Sequence, residues 1–349
     1  MIDHILYLED IACTAALPLP WDALRGASIF ISGATGMIAG FLIDVLMEKN
    51  LRDPSFGCTV YALGRSRERM EQRFGPYMDD PHFVFVQGDV CEEIRCAAEH
   101  VDYVFHAASN THPVAYATDP IGTITANVLG TKNMLDFAAN RGAKRFVFAS
   151  SNEIYGENRG DTELFDESYC GYIDCNTLRA GYPEGKRCGE ALCQAYRRQR
   201  QLDAVIARFT RSYGPTLKET DTKALSQFLR KGAAGEDIVL KSEGTQYYSY
   251  TYVSDAVSGL LTVLLKGTDG EAYNIADERS DIRLRDLAGI IADACGTKVV
   301  FELPDAVEKA GYSRATKARL DSSKLKALGW SAHYTIREGI GRTLAMMAE

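Results

Sequence analysis

Long apolar runs are missing from this 349-residue chain. No segment approaches the roughly 18 consecutive apolar residues of a membrane span, which excludes an integral helical membrane protein from the reading. The first residues, MIDHILYLEDIACTAALPLPW, have no basic start and no continuous apolar core, so no secretory signal is expected. Nine cysteines occur without a C-x-x-C, and no histidine follows them at zinc-finger spacing. Three pairs share one offset, Cys91/Cys96, Cys170/Cys175 and Cys188/Cys193. Without a ligand set around them, the expectation is reduced thiols, a cytoplasmic location and no metal. An excess of basic residues is lacking too: the formal charge is −8, which speaks against nucleic acid as the main partner but leaves room for a local basic pocket facing an anionic small molecule. There is no internal repeat and no low-complexity stretch. With 46% hydrophobic and 25% charged residues, the chain is globular and long enough for one large or two medium domains.

What the sequence does contain is a repeated rhythm. SIFISG (28–33), TVYALGR (59–65), HFVFVQGDV (82–90), VDYVFHAA (101–108), RFVFASS (145–151) and DAVIARF (203–209) are near-continuous apolar runs. Parallel strands covered on both faces read this way. Helical patterns separate them, the first with Ile38, Leu42, Val45 and Leu46 on one side, later ones over 119–140 and 183–201. This alternation predicts an α/β fold, a doubly wound parallel sheet of the Rossmann type. After about residue 215 the rhythm becomes irregular: a helix near 222–232, YYSYTYV, a helix near 255–266, then EAYNIAD. A smaller C-terminal α/β lobe is expected there, closing on the carboxyl edge of the sheet where ligands bind. The expected organisation is an N-terminal extension over 1–26 and a dinucleotide-binding domain over 27–165, to which strand 203–209 returns. Residues 166–349 would form mainly a substrate-binding lobe, with a catalytic helix over 182–201 packed on the first domain.

SGATGMIAG lies between the first strand and the first helix. Gly33 permits a tight turn, and Gly36 lets the backbone approach a pyrophosphate at the helix N-terminus, whose free N–H groups and dipole favour anions. Ala39 stands where a third glycine would normally sit. Thr35, Met37 and Ile38 belong to the same turn, and Val90, Ala107, Ala108, Ser109 and Asn127 are further candidates for lining a cofactor. A bound NAD(P) is therefore expected. The second strand ends at Arg65, where NAD sites place an acid for the ribose; an arginine can accept a 2′-phosphate and tilts the choice to NADP. Asp89, in QGDV, is placed to reach the adenine edge.

GYPEGKR puts Tyr182 and Lys186 four residues apart, on one face of a helix. The lysine can lower the tyrosine's pKa and hold a nicotinamide ribose, so that Tyr182 acts as base while hydride leaves a substrate carbinol. A second stretch, FVFASSNEIYGEN (146–158), places two hydroxyls, an amide and a carboxylate at the end of a core strand. One hydroxyl could cap the next segment; a carboxylate there asks for chemistry.

With these motifs the chain resembles an extended short-chain dehydrogenase/reductase, of the epimerase/dehydratase group that modifies nucleotide-linked sugars. The likeness runs from about residue 28 to the end. It is carried by HAAS (106–109), DPIGTITANVLGTKNML (119–135), SSNEIYG (150–156), RAGYPEGKR (179–187), YVSDAV (252–257) and DSSKLKALGW (321–330). Within the group it most resembles UDP-glucuronate decarboxylases and, next, sugar-nucleotide 4,6-dehydratases. The resemblance implies that Ser151 orients the sugar's C4 hydroxyl, Tyr182 removes its proton, and Lys186 supports tyrosine and a tightly held cofactor. Glu153 aligns with the base that acts after oxidation, and Asn152 stands where glucose-type dehydratases carry an aspartic acid. A nucleotide-sugar decarboxylase or dehydratase is the function implied, with a 4-epimerase as alternative and a non-catalytic nucleotide sensor as a minor one. The resemblance also implies a homodimer, built as a four-helix bundle from helices 119–140 and 183–201; Leu129, Met134, Leu135, Leu192 and Tyr196 could supply the contact, although some of them must also face the sheet.

Three departures from the decarboxylase pattern concern the substrate. Tyr248 occupies the place of an arginine, and Thr216 the place of another; Arg211 sits where an asparagine is usual. Either the phosphate clamp has moved, to Arg211 and Arg314, or the substrate is not an ordinary UDP-sugar. Asn110, Thr111 and Arg179 join Arg211, Tyr248 and Arg314 as candidates for meeting the substrate.

Overall fold

The computed structural model describes residues 3–111, 113–217, 221–302 and 317–348, so the clamp residue Arg314 lies outside the described residues. Seven strands form one sheet: β1 (Ser28–Ser32), β2 (Thr59–Gly64), β3 (Phe83–Gln87), β4 (Tyr103–His106), β5 (Arg145–Ser151), β6 (Ala204–Phe209) and β10 (Ala272–Ile275). Their order is β10-β6-β5-β4-β1-β2-β3, and every pairing is parallel. The last strand was not anticipated: Ala272–Ile275, within EAYNIAD, returns to the main sheet rather than to the irregular lobe. Three of its four residues are buried, and it pairs with β6 from Ala272↔Ile206 to Ile275↔Phe209.

Side-chain alternation distributes β1 between two cores. Ile29 and Ile31 enter one cluster, with Leu42, Val45 and Leu46 of helix α2 (Met37–Arg52). Phe30 enters the other, with Met134, Leu135 and Phe137 of helix α5 (Pro120–Asn140) and Phe146 and Phe148 of β5. Fully burying such a side chain contributes about 1.5–3 kcal/mol, which makes the central strands the most strongly anchored part of the molecule. Chain order reverses between β1 and β4, so their carboxyl ends open the crevice where ligands of such sheets bind.

The N-terminal segment is built into the molecule. Helix α1 (Ile5–Ala15) sends Tyr7 Oη to Asp44 of α2 at 2.6 Å, and Asp44 also pairs with Arg73. One turn on, the fully buried Asp10 accepts hydrogen bonds from Tyr252 (2.6 Å) and Tyr334 (2.7 Å) and pairs with Arg342 at 2.9 Å. One helix thus ties the first βα unit to the last helix, Ile336–Met347.

The remaining strands are short. β7 (Arg211–Tyr213), β9 (Tyr247–Tyr252), β11 (Asp281–Arg283) and β13 (Lys317–Ala318) make a second sheet, and β8 (Ile238–Leu240) pairs with β12 (Val299–Phe301). Helices α7 (Ala224–Ala233), α8 (Val253–Lys266) and α9 (Leu284–Cys295) pack among them. Among the described residues, no helix is long and apolar enough to cross a membrane.

Candidate active site

At the β1–α2 turn, Gly33 has φ +68°, and a Cβ there would stand 2.8 Å from the backbone nitrogen of Ala108. The close passage of two strand ends, not only the turn, therefore requires glycine. Gly36 caps α2 and donates to the Gly33 carbonyl at 2.8 Å. Under the turn, Ser32 Oγ accepts from the backbone N–H groups of Ala107 (3.1 Å) and Ala108 (3.2 Å) and meets His106 Nδ1 at 2.7 Å. His106 reaches Thr131 at 3.2 Å on its other side. Burial holds its pKa down at about 3, with Lys186 adding to the effect, so the ring is neutral and serves as scaffold. Thr35, Met37 and Ile38 line the turn and the first helical residues, all half-buried.

Asp89 and Arg65 stand 3.7 Å apart at the mouth of a cleft of about 500 Å³, which Gln87, Gly88, Glu92, Glu93 and Arg95 also line. Val90 is buried against Gly130 of α5. Ser109 donates to Asn127 at 2.9 Å, and buried Asn127 donates to the Thr123 carbonyl at 2.8 Å. Asn110 is half-buried and Thr111 exposed.

Helix α6 (Gly181–Arg200) carries the tyrosine and lysine. It lies close on α5 because position 185 is glycine: a Cβ there would be 2.8 Å from Cβ of Asn127. Tyr182 is buried, its phenol interacts with the Ser151 side chain, and its ring stacks on Tyr116 of helix α4 (Pro113–Thr118), with ring centroids 5.1 Å apart. Burial pushes the Tyr182 phenol up and nearby Glu153 adds to this, while the Ser151 hydroxyl opposes it. Lys186 Nζ donates to the Ala149 carbonyl at 2.8 Å and lies 5.9 Å from the Tyr182 ring centroid. Burial draws the lysine down to about 7, partly opposed by Glu190. Ser151 Oγ accepts from the Glu153 amide at 3.2 Å as β5 passes into a 3₁₀ turn over Asn152–Tyr155, and Asn152 is buried in that turn.

Glu153 is not a free loop carboxylate. Arg179 Nη2 donates to its Oε1 at 2.8 Å, and Nη1 stands 2.8 Å from Oε2. The same guanidinium covers the Tyr116 ring at 4.7 Å. Arg211, on β7, lies 3.5 Å from the Tyr248 ring centroid, and its Nη1 is buried without a hydrogen-bond partner among the described residues. Tyr248 lies within electrostatic reach of Arg211, Glu153 and Arg179 together. Of the sequence candidates, Ser151, Glu153, Arg179, Tyr182, Lys186, Arg211 and Tyr248 are thus gathered in one place. Tyr116 and Glu190 were missed. Continuing the four-residue spacing of Tyr182 and Lys186 would have found Glu190, whereas nothing in VAYATD marks Tyr116.

Fold and site together define a dinucleotide-dependent enzyme of the Tyr-x-x-x-Lys type. The family model for the NAD dependent epimerase/dehydratase family matches residues 29–276, and the chain belongs to that family. It is 32% identical over 313 residues to UDP-glucuronic acid decarboxylase 3 of Arabidopsis thaliana, covering 89% of this chain and 86% of that protein. The solved structure of a dTDP-glucose 4,6-dehydratase from Streptomyces venezuelae with NAD bound aligns with a TM-score of 0.77 at 24% identity, over 92% of this chain and 97% of that one. A UDP-glucuronic acid 4-epimerase from Bacillus cereus, in complex with UDP-4-deoxy-4-fluoro-glucuronic acid and NAD, aligns with a TM-score of 0.77 at 18% identity, over 92% and 98%. An NAD-type cofactor fits the residues present, since the Gly33 turn leaves no room for a side chain and is followed by the N-terminus of α2, which no side chain caps.

Proposed function

We propose that this chain is a nucleotide-sugar enzyme that oxidises its substrate transiently at C4 and then releases a C6 carboxylate as CO2. The observation that carries the proposal is the charge cluster beside Tyr182. Arg179 engages both Glu153 oxygens, and Arg211 adds a cation with a buried, unpartnered nitrogen, so one positive charge among these three groups is left uncompensated. A sugar carboxylate supplies the missing charge and the hydrogen-bond acceptor; a neutral CH2OH supplies no charge.

The cofactor would be held by the Gly33–Ile38 turn, the Ala107–Ser109 stretch and Lys186, and when bound it accepts hydride from C4 and returns it. Ser151 holds the C4 hydroxyl, and Tyr182 takes its proton as general base. Lys186, in the protonated form that burial disfavours above about pH 7, favours the phenolate that the buried site otherwise opposes. Once C4 is a carbonyl, the C6 carboxylate is β to it. Its electron pair passes toward the C4 oxygen as CO2 leaves, and C5 then takes up a proton. Loss of water from C6 would instead require an acid there. Asn152 carries an amide, and Glu153 is committed to Arg179, an arrangement that suits orienting and neutralising.

At the adenosine end, a 2′-phosphate would meet Asp89, Glu92 and Glu93 as well as Arg65 and Arg95. That balance favours NAD over the NADP that Arg65 alone suggests. The nine free thiols suit a reducing cytoplasm. The irregular elements after β6 would form the substrate lobe. A homodimer through the outer faces of α5 and α6 completes the proposal, with a revised contact set. Met134 and Leu135 are fully buried under the sheet and cannot face a partner, and Tyr196 donates to Asp136 of α5 at 2.6 Å. Leu129 is exposed, together with Ile121, Ile124 and Leu178. Incubation with UDP-glucuronate, UDP-glucose and dTDP-glucose, read by mass spectrometry, tests the function: CO2 loss from UDP-glucuronate alone is expected. A dehydrated 4-keto sugar, or a C4 epimer that retains C6, would overturn it.

A further inference from the structure

Helix α6 meets the end of β5 through three residues spaced one turn apart. Tyr182 faces the Ser151 side chain, Lys186 donates to the Ala149 carbonyl at 2.8 Å, and Glu190 Oε1 accepts from Ser150 Oγ at 2.5 Å. The first two belong to the site already described; the third does not. Glu190 is held in turn by Arg208 of β6, whose Nε and Nη2 reach its two oxygens at 3.0 and 2.7 Å. Ser150 and Arg208 are paired in register on adjacent strands, so one carboxylate fastens the helix to both. Arg208 Nη1 donates to Tyr155 Oη (2.9 Å) and to the Glu167 carbonyl (2.7 Å), and Tyr155 donates to Asn274 of β10 at 2.6 Å. Arg208 and Ser150 are buried, 8% and 4% exposed, and Glu190 is half-buried between them.

Charge-assisted hydrogen bonds in such surroundings are short and directional, and losing one partner strands the other. The outer side of the Glu190–Arg208 pair borders a cleft of about 590 Å³ lined also by Asp166, Gln194, Glu271 and Lys324; Ser151, Glu153, Tyr182 and Lys186 are not among its walls. Glu190 therefore acts on the site from behind, out of reach of a substrate.

We propose that Glu190, clamped by Arg208, is a positioning residue: it fixes Ser150, and with it the neighbouring Ser151, against the helix that presents Tyr182 and Lys186. The inference rests on the proposed roles of Ser151, Tyr182 and Lys186. It explains the doubled serine, with Ser151 turned to the substrate and Ser150 to the scaffold. Small misplacements of reacting groups are costly to the rate and need not affect binding.

The test uses the full chain carrying Ser150→Ala, with Ser150→Thr as the conservative rescue. Expected for Ser150→Ala is a loss of about tenfold in kcat with KM and NAD affinity within about twofold, largely restored by the threonine hydroxyl. A crystal structure of the alanine variant should show Ser151 Oγ farther from Tyr182 Oη than in a crystal structure of the parent protein. Lowered thermal stability with kcat and the Ser151–Tyr182 geometry both unchanged would reduce Ser150 and Glu190 to ordinary core residues and overturn the proposal. If the parent protein turns over no nucleotide sugar, the functional reading fails separately. The geometry arm then decides the inference alone: a greater Ser151–Tyr182 separation in the variant supports it and an unchanged one overturns it.

Discussion

Lys186 is almost completely buried with one carbonyl partner, and that burial draws its pKa from 10.5 to about 7. For a base, a lowered folded value means that the unfolded chain binds a proton which the native protein does not, between about pH 7 and 10.5. Stability therefore gains over this window as pH rises and is lost as pH falls toward 7, where the folded state must carry a buried ammonium. Lys186→Met removes that dependence. The variant's Tm relative to the parent protein should be most favourable near about pH 6 and should decline steadily toward about pH 10. Losing the bond to Ala149 adds only a constant offset. A Tm difference independent of pH would contradict the assignment. At this scale the sequence was informative wherever spacing along one element encodes contact, as for Tyr182 and Lys186. It was silent where distant elements meet: Tyr116 comes from α4 to stack on Tyr182, and no local pattern announces it.

Among the elements, α5 divides its apolar residues by face. Met134, Leu135 and Phe137 pack under the sheet, while Ile121, Ile124 and Leu129 point outward. The helical period placed all of them on one helix, but a moderately amphipathic pattern does not say which side a partner would cover. With α5 and α6 proposed as an isologous interface, Leu129→Glu places two like charges near the contact. The parent protein should sediment as a dimer at micromolar concentration and the variant as a monomer with far-ultraviolet circular dichroism unchanged. A parent protein that is already monomeric would remove the interface. The strands were legible for a different reason. β1, β4, β5 and β6 are continuous apolar runs because both faces are covered, and the edge strand β3 keeps its apolar run although Val84 and Gln87 are exposed; β10 is four residues long and sits in a polar neighbourhood, so its return to the sheet depends on β6 offering an edge. Helix α1 was legible as an extension but not as a bridge, because its anchor Asp10 is a polar residue whose three partners lie more than two hundred residues away.

Across the molecule, the sheet supplies the cofactor turn at β1, the serine at the end of β5 and the tyrosine–lysine pair on α6, and the second sheet brings Arg211 and Tyr248 to the same crevice. Family membership carries the redox chemistry; the arrangement of Glu153, Arg179 and Arg211 is what supports the proposed substrate with a C6 carboxylate. The most direct measurement is a single turnover of Glu153→Gln with UDP-glucuronate labelled at C6, alongside the parent protein, following released CO2 and the reduced-nicotinamide absorbance together. If Glu153 orients and neutralises while the carboxylate departs unaided, the variant still releases labelled CO2, slowed by about tenfold, with no lasting rise in reduced cofactor. Full retention of the label in a trapped 4-keto sugar, with reduced cofactor accumulating, would show that Glu153 abstracts a proton after oxidation and would contradict the proposed decarboxylation.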